Sequence, residues 1–124
     1  MAKRKVAVVD DDRDIRELLE LTLTGAGYDV MLIPNGLRLV SSLRVDRPDV
    51  ILLDIMMSWI DGYELCRAIK KNPEYASIPV LFISAKTSAG DVERGLACGA
   101  EGYFPKPLDL GRLLDRIREL CATS

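Results

Sequence analysis

There is no histidine in this chain of 124 residues. That absence excludes a histidine-activated nucleophile, a histidine metal site and a phosphohistidine carried by the chain itself. Its chemistry must run on carboxylates, hydroxyls, lysine or cysteine. Cysteine is scarce as well. Cys66, Cys98 and Cys121 are odd in number, far apart and form no C-x-x-C pair, so neither a disulfide framework nor a zinc site is expected. They read as three small hydrophobes in a reducing compartment. A basic excess is also missing. Seventeen Lys and Arg stand against 19 Asp and Glu, a net charge of −2, and direct nucleic-acid binding has no electrostatic footing. No apolar run approaches the ~20 residues that span a bilayer. Lys3-Arg4-Lys5 is followed only by Val6-Ala7-Val8-Val9 before three aspartates, too short for a secretory leader. The expected location is the cytoplasm, with no membrane partner. At 48% apolar and 29% charged residues the composition is globular, and the length fits one domain over residues 1–124. The chain ends just past its last helix, so no output domain is expected in it.

What is present is an alternation of short apolar runs with longer amphipathic ones. Val6–Val9 reads as a buried strand. Ile15, Leu18, Leu19 and Thr22 recur at helical spacing up to Gly25, with Asp11 or Asp12 as N-cap. Asp29–Ile33 is a second strand. Leu37, Val40 and Leu43 suggest a short helix stopped near Arg47-Pro48. Val50–Leu53 is a third strand, buried on both faces. A helix over Gly62–Lys71 carries Leu65, Cys66 and Ile69 on one side. Pro79–Ile83 is a fourth strand, Asp91–Cys98 a helix ending at Gly99, and Glu101–Phe104 a short fifth strand. Leu110, Leu113, Leu114, Ile117 and Cys121 mark the last helix. Five strands alternating with five helices predict a parallel sheet covered on both faces, a doubly wound α/β fold. Ligands in such folds sit beyond the carboxyl ends of the strands.

The residues at those ends form a coherent set. The first strand runs into Asp10-Asp11-Asp12, the third into Asp54, the fourth into Ser84, and the fifth leads to Lys106. Pro34-Asn35, after the second, adds nothing obvious. Clustered carboxylates repel unless a cation sits among them, and oxygen ligands alone favour Mg²⁺. A carboxylate flanked by Mg²⁺, a lysine and a hydroxyl suits in-line attack on phosphorus. Each residue alone has a plainer reading. Asp12 reads first as a helix cap, Ser84 as a cap or turn residue, and Lys106 as a surface lysine between Pro105 and Pro107. Asp54 is followed by Ile55-Met56-Met57, which is no helix start and weakens a capping role there.

With these positions in hand, the chain resembles the receiver domain of two-component response regulators. The resemblance rests on Val8-Val9-Asp10-Asp11, on Asp54 followed by Asp61-Gly62, on Ser84-Ala85, and on Gly102-Tyr103 with Lys106-Pro107. It runs from about Lys5 to Leu120. It implies a flavodoxin-like strand order 2-1-3-4-5. It implies Asp54 as phosphoacceptor, with Asp10, Asp11, Asp54 and the Met56 carbonyl around Mg²⁺. Ser84 and Lys106 would hold the phosphoryl group, and Tyr103 would be an aromatic switch turning inward when Ser84 moves. The Lys106-Pro107 bond would be cis. The implied donor is a phosphohistidine on a sensor histidine kinase or phosphotransfer protein. The implied output surface, facing a downstream domain or protein, is the fourth helix, fifth strand and fifth helix.

Two residues depart from the family pattern. Ser58 stands where proline is usual, and Trp59 follows where small polar residues are common. Trp59 is either a partner anchor or a ring lying on its own surface. Two other functions compete. Val6–Asp12 also fits the strand-then-D-x-D start of haloacid-dehalogenase-like phosphatases, with Asp10 as nucleophile and Asp12 as acid/base. That reading leaves Asp54 and Asp61-Gly62 without a role, and the chain lacks a late acidic pair after the lysine. A degenerate receiver acting only as a scaffold is the other, and intact acids, hydroxyl and lysine speak against it.

Overall fold

The computed structural model describes residues 3–122; the outermost bounds of the expected domain, residues 1–2 and 123–124, lie outside them. Five strands, β1 (Lys5–Val9), β2 (Asp29–Ile33), β3 (Val50–Asp54), β4 (Val80–Ser84) and β5 (Gly102–Pro105), form one parallel sheet in the order β2-β1-β3-β4-β5. The helices are α1 (Arg13–Gly25), α2 (Leu39–Val45), α3 (Gly62–Lys71), α4 (Ala89–Ala97) and α5 (Leu110–Ala122). The doubly wound architecture is as expected.

Alternation along the strands divides the core into two layers. Ala7, Val9, Ile51, Leu53, Val80 and Phe82 face α2, α3 and the end of α4. Val6, Val8, Val50, Leu52, Leu81 and Ile83 face α1 and α5, where they meet Leu19, Leu23, Leu113 and Ile117. Val6–Val9 and Val50–Leu53 are inaccessible to solvent, so their uninterrupted apolar runs reflect burial on both sides. All three cysteines are buried and none forms a disulfide. Burial pushes the Cys66 thiol up to about 12, which leaves it protonated and inert.

Several boundaries differ from the sequence pattern for local reasons. β4 begins at Val80 because Pro79 has no N–H to offer; its carbonyl accepts from Ile51 N at 2.9 Å. β5 begins at Gly102 because the Glu101 carboxylate turns back onto Val80 N. α4 begins at Ala89, ahead of Asp91, because the Ser88 hydroxyl accepts from Asp91 N at 3.1 Å. The region read from Leu37, Val40 and Leu43 is a single 3₁₀ turn, Gly36–Arg38, capped by Asn35, followed by α2. That turn shifts the helical phase, so Leu39 and Leu43 are buried while Leu37 and Val40 are exposed. On α1 Leu19 and Leu23 are buried and Ile15 packs half-buried against the same cluster; Leu18 is exposed, and Thr22 donates its hydroxyl to the Leu18 carbonyl.

Gly62 opens α3 directly against β3. A methyl group there would collide with the Asp54 carbonyl and lie 2.6 Å from Ile55 Cα, both of them backbone. Gly62→Ala should therefore destabilise by about 1–3 kcal/mol or more, read as a lower denaturant midpoint with an unchanged slope.

Candidate functional site

The carboxyl ends of β1, β3, β4 and β5 converge on one small polar site. Strand register does the positioning. Asp54 pairs with Ile83 and Ser84 with Pro105, and Lys106 N bonds the Ser84 carbonyl at 2.8 Å, which brings the lysine back over the sheet edge. The Lys106-Pro107 bond is cis. Lys106 Nζ donates to Asp10 Oδ2 at 2.8 Å and lies 3.6 Å from Asp54 Oδ2. Asp10 also accepts from Asp12 N at 2.9 Å, and Arg16 donates to the Asp10 carbonyl at 2.8 Å.

Asp10, Asp54 and Ser84 are the buried polar side chains among the described residues. Asp10, Asp11 and Asp54 each bring a carboxylate oxygen within 4.8 Å of the others. Asp11 is the exposed member, and its Oδ2 receives Ser58 N at 3.3 Å. Three acids against one ammonium leave negative charge unbalanced. Burial first, then the charge of Asp10, raise the Asp54 carboxyl to about 6, although Lys106 and the Met56 N–H pull the other way. For Lys106, burial works downward, but the hydrogen bond and charge of Asp10, with Asp54 behind, hold the ammonium above its ordinary value. Oxygen donors with excess negative charge fit a hard divalent cation that keeps several waters.

Asp12 does not join the cluster. Its carboxylate caps α1 by accepting from Asp14 N, so a phosphohydrolase using Asp10 and Asp12 as a pair loses its second carboxylate. Ser84 Oγ accepts from Lys86 N at 3.0 Å. Tyr103 donates its hydroxyl to the Lys86 carbonyl at 2.6 Å. Both residues are thus tied to one peptide stretch between β4 and α4. The Tyr103 ring is half-buried, 6.0 Å from the Phe82 ring, and already turned inward. Gly95 makes room for it, since a methyl there would lie 2.8 Å from Tyr103 Cδ2.

The pattern of strand ends did not point to Tyr63, which is buried, sets its ring edge on Phe82 and donates to the Asp91 carbonyl. Its place after Asp61-Gly62 in the first turn of α3 was the available signal. Lys86, two residues past Ser84, was legible as a side chain but not as the shared backbone partner of Ser84 and Tyr103.

The model of the response regulator receiver domain family matches residues 6–118. This chain belongs to that family. The receiver domain is 40% identical over 116 residues to the response regulator MprA of Mycobacterium avium, covering 94% of this chain and 50% of the relative. It spans about half the length of the curated relatives it matches. Among solved structures it superposes on chemotaxis protein CheY4 of Vibrio cholerae with a TM-score of 0.88 at 32% identity, covering 96% of this chain and 99% of the other. It also superposes on the signal receiver domain of a signal transduction histidine kinase from Syntrophus aciditrophicus, with a TM-score of 0.89 at 32% identity, covering 97% and 91%. The receiver domain is a module of two-component signalling. No helix among the described residues is long and apolar enough to cross a membrane.

Beside the site, the β3–α3 loop holds Trp59 in the left-handed backbone region, at φ 77°. For a non-glycine residue that costs on the order of 1 kcal/mol or more. The ring is 89% exposed and so does not lie on its own surface. Trp59→Gly should raise the melting temperature by relieving this strain; a lower one would show that the ring contributes more than the backbone costs.

The acid cluster has its own signature. Asp54 titrates near 6 when folded and near 3.8 in an ordinary setting. Ionised Asp54 therefore costs stability above pH 6, and the cost disappears as pH falls through 6 towards 4. Without divalent metal, Asp54→Asn should be more stable than wild type at pH 7.5 by about 1–2 kcal/mol after allowance for screening. The two should converge near pH 4. Paired denaturant titrations across that range check the slope.

Proposed function

We propose that this receiver domain accepts a phosphoryl group on Asp54 from a phosphohistidine of a sensor kinase or phosphotransfer protein. The observation that carries this reading is a buried carboxylate with raised proton affinity, set between two further carboxylates and a lysine 3.6 Å away. Asp10, Asp11 and Asp54 with the Met56 carbonyl would hold Mg²⁺, which supplies charge neutralisation of phosphoryl oxygens.

An Asp54 oxygen attacks phosphorus in line. The P–N bond breaks, its electron pair returns to the imidazole nitrogen, and an acyl phosphate forms on Asp54. Lys106 need move little to leave Asp10 and meet a phosphoryl oxygen, because the three charged groups are already in contact. Ser84 would swing its hydroxyl towards the same group. That swing gives up the bond from Lys86 N and disturbs the stretch that Tyr103 grips from the other side. The signal would leave through α4, β5 and α5 towards an output domain or protein. The domain would catalyse only its own phosphorylation and a slow self-dephosphorylation. Neither Met56, apolar and exposed, nor the cationic Lys86 side chain is an acceptor that would orient an attacking water.

With Mg²⁺ and acetyl phosphate, the chain should gain one hydroxylamine-labile phosphoryl group, and Asp54→Asn should abolish it. Labelling that persists in that variant, or that maps to a serine, overturns the reading. Ser84→Ala should keep most of the labelling while amide shifts over α4 and β5 no longer follow it. Met56→Asn combined with Lys86→Glu should speed phosphoryl loss several-fold, as timed by intact mass. An unchanged rate would assign hydrolysis to motion of the Ser58 loop instead.

A further inference from the structure

Resting on the function just proposed, we infer that Trp59 is the anchor by which a phosphohistidine-bearing protein seats itself on this domain. Trp59 would be a residue for protein donors and not for small ones. Two independent observations meet at this side chain. Its backbone is held at φ 77°, a conformation suited to glycine, and its ring is 89% exposed. Among the described residues the ring takes part in no hydrogen bond, ion pair or ring contact. No polar or aromatic contact within the described residues offsets the strain. A large aromatic with two side-chain torsions, pre-set outside the surface, is the residue type that dominates binding when a partner buries it.

The position selects the occupant. Trp59 walls an open cleft with Met56, Ser58, Asp61, Lys86 and Asp11. Asp11 belongs to the acid cluster around Asp54, so cleft and phosphoacceptor site are one continuous surface. Asp54 is only 5% exposed. A phosphoimidazole reaches it only if the protein carrying it comes down onto the cleft beside it, and Met56 and Trp59 stand on the wall of that cleft. Met56 is 59% exposed and offers a soft apolar floor beside the ring. Acetyl phosphate is small enough to reach the acids without touching either side chain.

The test compares two donors on three chains. Wild type, Trp59→Ala and Trp59→Tyr are phosphorylated with acetyl phosphate, and with the phosphorylated histidine kinase core that labels wild type fastest among those of the source organism. Acetyl phosphate should label all three at rates within about twofold. With the kinase, Trp59→Ala should lose about tenfold or more in kcat/KM, equivalent to about 1.4 kcal/mol, mainly through KM. Trp59→Tyr should recover most of it. Equal kinase rates for wild type and Trp59→Ala overturn the inference, as does a wild type that acetyl phosphate labels and no kinase does. A dimer of wild type in sedimentation that Trp59→Ala abolishes would give the ring to a second copy and overturn it too. If acetyl phosphate fails to label Asp54 in wild type, the proposed function falls first. Trp59 is also the single tryptophan of the chain, so its emission reports directly. A blue shift on adding the phosphorylated kinase core is expected, and no shift at saturating core would count against burial of the ring.

Discussion

One half-buried ammonium against two buried carboxylates organises the site. Lys106 reaches Asp10 at 2.8 Å and Asp54 at 3.6 Å, and the three come from different strands at the one carboxyl edge of the sheet. Removing charges from water is costly unless each finds a partner. Asp10 finds two, Lys106 and the Asp12 N–H, and it is the fully buried acid. Asp54 has the longer lysine contact and the Met56 N–H, and burial with the neighbouring charge of Asp10 raises its carboxyl to about 6. The better-satisfied acid holds the lysine at 2.8 Å, while the less satisfied one would gain most from a cation or, on the proposed function, from conversion to an acyl phosphate. The rigid sheet keeps that imbalance from relaxing, since Asp54 lies in register with Ile83 and Lys106 N is bonded to Ser84 O.

Much of this was legible in the residue order, and the reasons are physical. A parallel strand covered on both faces is a continuous apolar run, so Val6–Val9 and Val50–Leu53 declare themselves and their next residues fall at the carboxyl edge. Asp10, Asp54, Ser84 and Lys106 follow from that edge alone. The strand order did not; it came from the family resemblance. What escaped depends on backbone partners that no spacing records. Pro79 and Glu101 move two strand starts by one residue, through a missing N–H and a carboxylate turned onto Val80 N. The 3₁₀ turn at Gly36–Arg38 changes which leucines face inward. The lysine's preference for Asp10, 96 residues away, arises only when the sheet is assembled.

The stretch between β4 and α4 has a similarly unreadable role. Ser84 receives the Lys86 N–H and Tyr103 binds the Lys86 carbonyl, so the two faces of nearly one residue are held by side chains from β4 and β5. Neither bond is strong alone, about 1 kcal/mol each. Together they make the position of one side chain depend on the other. Gly95 keeps the space in which the Tyr103 ring rests, and Tyr63 and Phe82 wall it. The result is a small aromatic pocket beneath α4 with a hydrogen-bonded lid. On the proposed switch, a force that draws Ser84 towards Asp54 would be felt there.

The two sides of the site are braced unequally. On the β5 side, Lys106 is fixed through its own N–H, its ion pairs and a proline on each flank. On the β3 side the loop from Ile55 to Asp61 is held by a bridge between Met56 and Asp61, by Gly62 N on the Ile55 carbonyl at 3.0 Å, by the longer contact from Ser58 N to Asp11, and by Ile55, Met57 and Ile60 packed into the core below. Ser58, standing where proline would stiffen the chain, adds to that freedom. Trp59 and Met56 stand exposed on this second side. On the proposed function, the β5 side would supply the groups that every donor needs, while the side carrying Trp59 would meet the body that brings the donor in. A strained aromatic placed there would put recognition away from Lys106 and leave its contacts with Asp10 and Asp54 undisturbed.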